Sequence, residues 1–282
     1  MAYIECKLKS QRLLTTVGVK IYLPCDLPVE VGNKVKGVFT LLHGFTNSGD
    51  DWMQMTAAPR YAADNGLALV APDCGNSFYQ DMTYGGAWAG FVTEEMPALL
   101  RAMFHLPAER EKNFIGGLSM GGYGALYLGL SRPDLYAGCA SFSGAVDVAM
   151  MLQNSHVPGV KEVFAPIFGP DLRLPEASEI RQLATKVADL PAEEQPKVLL
   201  TNGFQDQEPY YIRYQNDAVD ESLRALPLAH YRRLQWDGVH EWNFWDRSLV
   251  HAIDDFVNPG YAAKKLNDWA APVTETGGAC RG

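Results

Sequence analysis

Asn113-Phe114-Ile115-Gly116-Gly117-Leu118-Ser119-Met120-Gly121-Gly122-Tyr123-Gly124-Ala125 joins a short apolar run to a segment compatible with a helix, and at its centre stands Gly-x-Ser-x-Gly (Gly117, Ser119, Gly121). A serine on a sharp strand-to-helix turn sits in strained backbone. Glycines on either side let neighbouring segments come close, and the hydroxyl is left exposed above the sheet. The helix that follows points its first N–H groups at the same spot, where negative charge is stabilised. The pentapeptide also reads as an ordinary Gly-rich turn, so its meaning depends on the partners that the rest of the chain supplies.

Outward from this turn, short β-like runs alternate with helix-like runs, the pattern of a mostly parallel sheet covered on both faces. Strands are predicted at 38–42, 67–71, 113–117, 137–141, 197–201 and 231–235, most of them apolar on both faces. An earlier pair, 3–8 and 17–22, alternates more and predicts an antiparallel hairpin at one edge. Helices are predicted at 51–64, 91–105, 121–130, 210–226 and 242–256. Residues 146–196, rich in Pro, Met and Phe, break this rhythm and read as a small cap of short helices beside the site. The organisation expected is one α/β domain over residues 1–270 with that cap inserted, and a loose tail at 271–282.

A hydrophobic content of 47% across 282 residues is ample for a buried core. The net charge of −9, with no dense Lys/Arg cluster, argues against a nucleic-acid or anionic-membrane partner. No run approaches the ~18 apolar residues of a transmembrane helix, and the start, Met1-Ala2-Tyr3-Ile4-Glu5-Cys6-Lys7, gives no signal-peptide pattern. Five scattered cysteines without a C-x-x-C pair fit reduced thiols in a cytoplasmic protein, with Cys139 a small core residue.

A serine hydroxyl needs a base to take its proton. Of six histidines, His105 and His251 fall in helical runs, His156 in the cap and His230 before a strand. His240 follows the last predicted strand, immediately before the final helix. Loops at the carboxyl ends of strands in an open α/β sheet converge on one crevice, which brings the Ser119 and His240 loops together. The acid that orients the imidazole is expected after the penultimate strand, where Asp206 stands; Asp189 and Glu208 are its nearest competitors, and Asp237 is too close in sequence to His240. The resulting order, Ser119, Asp206, His240, matches that of the α/β-hydrolases. Donors for the oxyanion are expected from the N–H groups of Met120 and of Phe45 in the loop Leu41-Leu42-His43-Gly44-Phe45-Thr46-Asn47, with His43 a structural residue of that loop. No metal site is expected: His43, His240 and Glu241 lack ligand spacing. Phe45, Trp88, Phe91, Trp242, Phe244 and Trp245 cluster about the mouth. Trp88, Phe91 and Trp242 are candidate substrate contacts, with Phe164, Ile167 and Phe168 of the cap completing an acyl pocket.

His43-Gly44-Phe45, Gly117-Leu118-Ser119-Met120-Gly121-Gly122-Tyr123-Gly124-Ala125, Ser141-Phe142-Ser143-Gly144-Ala145 and His240-Glu241-Trp242-Asn243-Phe244-Trp245 together resemble the bacterial tributyrin esterase group, in the esterase D branch of the α/β-hydrolases. The similarity runs over about residues 3–256. It implies a cofactor-free carboxylesterase for short acyl chains, acetylated or feruloylated carbohydrates among its substrates, and a homo-oligomer, dimer or tetramer. It also implies Ser119, Asp206 and His240 as the triad, and Phe45 and Met120 as oxyanion donors. The related S-formylglutathione hydrolases carry Cys-Asn-Pro after the strand that follows the nucleophile; here Ser141-Phe142-Ser143-Gly144-Ala145-Val146 lacks it. A peptidase or acylaminopeptidase with the same triad, or an inactive binding protein of this fold, are the remaining readings.

Overall fold

The computed structural model describes residues 2–25, 35–153, 160–266 and 273–275. His156, Cys280 and most of the predicted tail lie outside the described residues. Among the described residues nine strands form one sheet: β1 (Ala2–Ser10), β2 (Thr15–Leu23), β3 (Gly37–Leu42), β4 (Leu67–Pro72), β5 (Asn113–Leu118), β6 (Gly138–Phe142), β7 (Lys197–Gly203), β8 (Tyr231–Trp236) and β9 (Thr274–Glu275), in the order β1-β2-β4-β3-β5-β6-β7-β8-β9. From β4 to β8 every pairing is parallel. The β1–β2 hairpin and β9 run antiparallel at the edges. Within the stretch read as a tail, Thr274 and Glu275 pair with Gln235 and Leu234, and Glu275 also meets Arg232.

Side chains alternate between two cores, one on each face of the sheet. Val38, Ile115, Cys139 and Leu200 enter one; Phe39, Phe114, Ala140 and Leu199 enter the other. Both faces are therefore dry, which is why these strands read as continuous apolar runs. Burial pushes the Cys139 thiol up to about 12, so it is a protonated packing residue. The helix Met120–Ser131 is buried along nearly its whole length, and Trp242–Phe256 covers the opposite face.

Three predicted helices differ in the structure. The segment expected at 51–64 is two helices, Gly49–Gln54 and Ala58–Asn65. Asp246 draws the Ala57 N–H aside at 2.7 Å between them, and the second helix starts with Pro59 in its first turn. The segment at 91–105 contains a π-helical turn, Phe91–Glu95, before Met96–Phe104. Pro97 has no N–H to continue the regular ladder, and the chain widens into the preceding turn. The helix expected from residue 210 starts at Ile212, because Tyr211 is left-handed with φ of 54°.

The cap segment folds as Val148–Gln153, Val160–Phe168 and Ile180–Ala188. Its attachment is specific. The Thr83 and Tyr84 N–H groups donate to the carbonyls of Ile167 (3.0 Å) and Pro166 (2.8 Å). Tyr123, fully buried, donates to the Ser178 carbonyl at 2.8 Å and accepts from Gln80 Nε2 at 3.0 Å, while Ser178 Oγ donates to Gln80 Oε1 at 2.8 Å. Among the described residues, no helix is long and apolar enough to cross a membrane.

Candidate active site

Ser119 follows β5 directly and precedes the helix Met120–Ser131, with φ 53° and ψ −117°, a conformation that costs a non-glycine residue on the order of 1–3 kcal/mol. The surroundings hold it there. Its N–H donates to the Phe142 carbonyl at 3.0 Å, and its carbonyl accepts from Gly122 (3.0 Å), Tyr123 (3.1 Å) and Ala145 (3.0 Å). Gly121 is required by close approach: a Cβ there would stand 2.3 Å from the Leu42 carbonyl oxygen. The neighbouring loop is equally tight, since a Cβ on Gly44 would lie 2.5 Å from Leu118 Cδ1 and 3.5 Å from the Ser119 Cβ. The His43-Gly44-Phe45 segment therefore lies against the serine.

His43 fixes that loop from inside. Its Nε2 accepts the Cys74 N–H at 2.9 Å, so the ring proton sits on Nδ1 and is donated to the Gly44 carbonyl at 2.7 Å. Burial lowers its pKa and keeps it neutral. Tyr79 adds a bond from its hydroxyl to the His43 carbonyl at 2.8 Å. Both ring nitrogens are thus committed to structure. Neither the Phe45 nor the Met120 N–H is engaged by another group among the described residues.

Asp206, three residues beyond β7, is 3% exposed, and its Oδ2 lies 3.1 Å from Nδ1 of His240, four residues beyond β8. A carboxylate only accepts hydrogen bonds, so Nδ1 carries the proton and Nε2 keeps a free lone pair. The His240 ring meets Trp245 edge-on, centroids 5.0 Å apart, and Tyr210 at 5.5 Å. From Trp245 an aromatic chain runs through Trp242 (5.1 Å) to Trp52 (5.6 Å), whose indole donates to the Leu42 carbonyl at 3.0 Å and whose ring meets Phe142 at 5.9 Å. The histidine loop is thereby packed onto the two strand ends that hold Gly121 and Ser119.

A second aromatic group adjoins the Phe45 N–H. Phe45 meets Phe78 (6.2 Å) and Phe164 (6.5 Å), and Phe78 meets Phe164 (5.4 Å) and Phe168 (5.9 Å). The other predicted contacts lie elsewhere. Trp88 is half-buried and packs on Phe91, which is fully buried in the core, so Phe91 supports Trp88 from behind and presents no surface of its own. Phe244 stacks on Trp236 at 4.2 Å and also belongs to the core. Phe78 and Tyr210 are the residues that sequence reasoning missed. Phe78 sits in a loop at φ 48°, which no periodicity marks, and Tyr210 was assigned to the following helix.

The chain is similar to known esterases and serine hydrolases over most of its length. Residues 10–256 match the family model described as "Putative esterase". An acetyl esterase of Caldicellulosiruptor saccharolyticus is 26% identical over 273 residues, 90% of this chain and 97% of that protein. Among solved structures, a substrate-bound fluorophosphonate-binding serine hydrolase of Staphylococcus aureus is 26% identical, with a TM-score of 0.76 over 91% of this chain and 98% of its own. An S-formylglutathione hydrolase of Staphylococcus aureus is 27% identical, with a TM-score of 0.74 over 91% of this chain and 99% of its own. With the family model spanning most of its length and the parallel sheet in this order, the chain belongs to that esterase family and is a carboxylic ester hydrolase of α/β-hydrolase fold.

Proposed function

We propose that the protein is a serine carboxylesterase that cleaves short acyl esters through an acyl-enzyme intermediate. The observation that carries this reading is the buried Asp206 carboxylate at 3.1 Å from His240 Nδ1, on the same end of the sheet as the strained Ser119. In this mechanism His240 Nε2 takes the Ser119 proton as Oγ attacks the ester carbonyl. The Phe45 and Met120 N–H groups hold the oxyanion, and Asp206 stabilises the imidazolium. His240 then hands the proton to the leaving oxygen, and a water activated by the same imidazole clears the acyl group from Ser119.

Phe45 and Phe164, both half-buried, line the proposed acyl pocket with the buried Phe78 and Phe168 backing them, and the acyl chains proposed for it run from acetyl to butyryl. Trp242 lines the wall behind His240, and Trp88 stands at the rim on the Phe91 core. Likeness to an acetyl esterase favours acetyl esters as substrates, and the acetylated and feruloylated carbohydrates that the family resemblance implies are the classes to test. Likeness to an S-formylglutathione hydrolase favours a thioester reading as the alternative, against which stands the absence of Cys-Asn-Pro at 141–146. A cytoplasmic homo-oligomer remains the proposed state, checked by fractionation and by light scattering.

Ser119→Ala decides the mechanism. Turnover of p-nitrophenyl acetate and labelling by a fluorophosphonate should both vanish, a loss of at least about a thousandfold, with the circular dichroism and melting curve preserved. Retained turnover would overturn the reading. A panel of acetyl-xylan, methyl ferulate, p-nitrophenyl butyrate and S-formylglutathione separates the ester and thioester assignments.

A further inference from the structure

Tyr210 is 56% exposed, yet its ring rests 5.5 Å from that of His240. Its backbone is not free to drift. The Tyr210 carbonyl accepts from Gln215 Nε2 at 2.9 Å; Gln215 is fully buried, and its Oε1 takes the Asp147 N–H at 3.0 Å. The loop also closes on the acid itself, because the Arg213 N–H donates to the Asp206 carbonyl at 2.7 Å. Tyr211 and Tyr214 continue an exposed aromatic surface, their rings 6.2 Å apart.

Position along the reaction gives this tyrosine a meaning. His240 must come within hydrogen-bond reach of the leaving oxygen to protonate it as the acyl C–O bond breaks and its electron pair returns to oxygen. The carbon skeleton of the leaving alcohol then lies beside the imidazole, within reach of an exposed ring that meets it. Of the two aromatic rings that meet His240 among the described residues, Trp245 is buried and Tyr210 is open to solvent, so Tyr210 is the one free to touch the alcohol as well. The acyl side has its own aromatic group around Phe45.

We infer that Tyr210 is the residue that selects the alcohol half of the substrate, by stacking on an alcohol with a flat or ring-shaped face, aryl or pyranosyl. This rests on the serine-esterase reading above. Exposed aromatic contacts of this kind change affinity by a modest factor, so the effect belongs in selectivity rather than in the presence of activity.

The test compares benzyl acetate, an acetylated methyl glucopyranoside and ethyl acetate, which share one acetyl-enzyme and differ only in the alcohol. Tyr210→Ala should lower the kcat/KM ratio of ring-bearing to ethyl acetate by about five- to tenfold, through KM and the acylation burst. Tyr210→Phe should restore it. A fall confined to benzyl acetate assigns an aryl alcohol, and one confined to the glucoside assigns a sugar. Equal losses on all three esters, an unchanged ratio, or a fall in acetyl-enzyme hydrolysis as large as that in acylation would overturn the inference. Failure of the underlying reading would show separately, as wild-type protein that a fluorophosphonate does not label.

Discussion

At the end of β5, Ser119 is fixed by four main-chain hydrogen bonds and by glycines pressed against neighbouring backbone; at the end of β8, His240 rests on the side chains of Asp206, Trp245 and Tyr210. Backbone contacts within a close-packed interior cannot adjust by small steps, because each added atom meets a carbonyl. Side-chain contacts at the mouth can change one at a time. On the proposed mechanism the serine side therefore fixes where the chemistry happens, and the histidine side is where selectivity can be tuned without rebuilding the fold.

The most severe way to break this contrast is Gly121→Ala. Its Cβ would stand 2.3 Å from the Leu42 carbonyl oxygen, and the cost should be about 3–5 kcal/mol, read as a large drop in melting temperature or loss of soluble protein. A stable, active Gly121→Ala protein would show that the serine turn is not backbone-locked.

Asp206→Asn comes next and touches the other side. The fold should survive, while kcat falls by about a hundred- to ten-thousandfold as the imidazole loses its orienting acceptor. A mild loss would move the orienting role to another carboxylate such as Glu208.

The smallest effect concerns stability alone. His251, on the helix that carries Trp242 and Trp245, has its pKa lowered to about 4, chiefly by burial and secondarily by Arg247. Below about pH 6.5 the unfolded chain takes up a proton that the folded chain refuses. Stability should be full above that pH and decline as pH falls toward 4, by about 1–2 kcal/mol. His251→Phe should flatten this acid limb in denaturant titrations, and an unchanged slope would remove His251 as its source.

The parallel strands were legible in the sequence because burial on both faces leaves uninterrupted apolar runs; 38–42 and 113–117 differ from β3 and β5 by a single residue at one end. The pairing of Asp206 with His240 was legible for a topological reason, each following one of two adjacent parallel strands at the same end of the sheet. What escaped was decided by contacts between distant segments. The helix expected at 91–105 ran unbroken through Pro97, whereas the structure has a π-helical turn before that proline, with Phe91 and Thr93 both buried in it. Tyr210 looked like the first residue of a helix, and only the closure of residues 206–213 on the Asp206 carbonyl turns it onto the histidine. Phe78 joined the acyl-side aromatics from a loop with positive φ, a geometry that local pattern does not encode.

The buried knot of Tyr123, Gln80 and Ser178 ties the helix behind the nucleophile, the loop before Trp88 and the cap into one piece. Swinging the cap aside would leave the buried Tyr123 hydroxyl and Gln80 amide without Ser178, each a cost comparable to a lost hydrogen bond. The wall formed by the loop after Phe168 is consequently set in place with the helix that follows Ser119, as one folding unit.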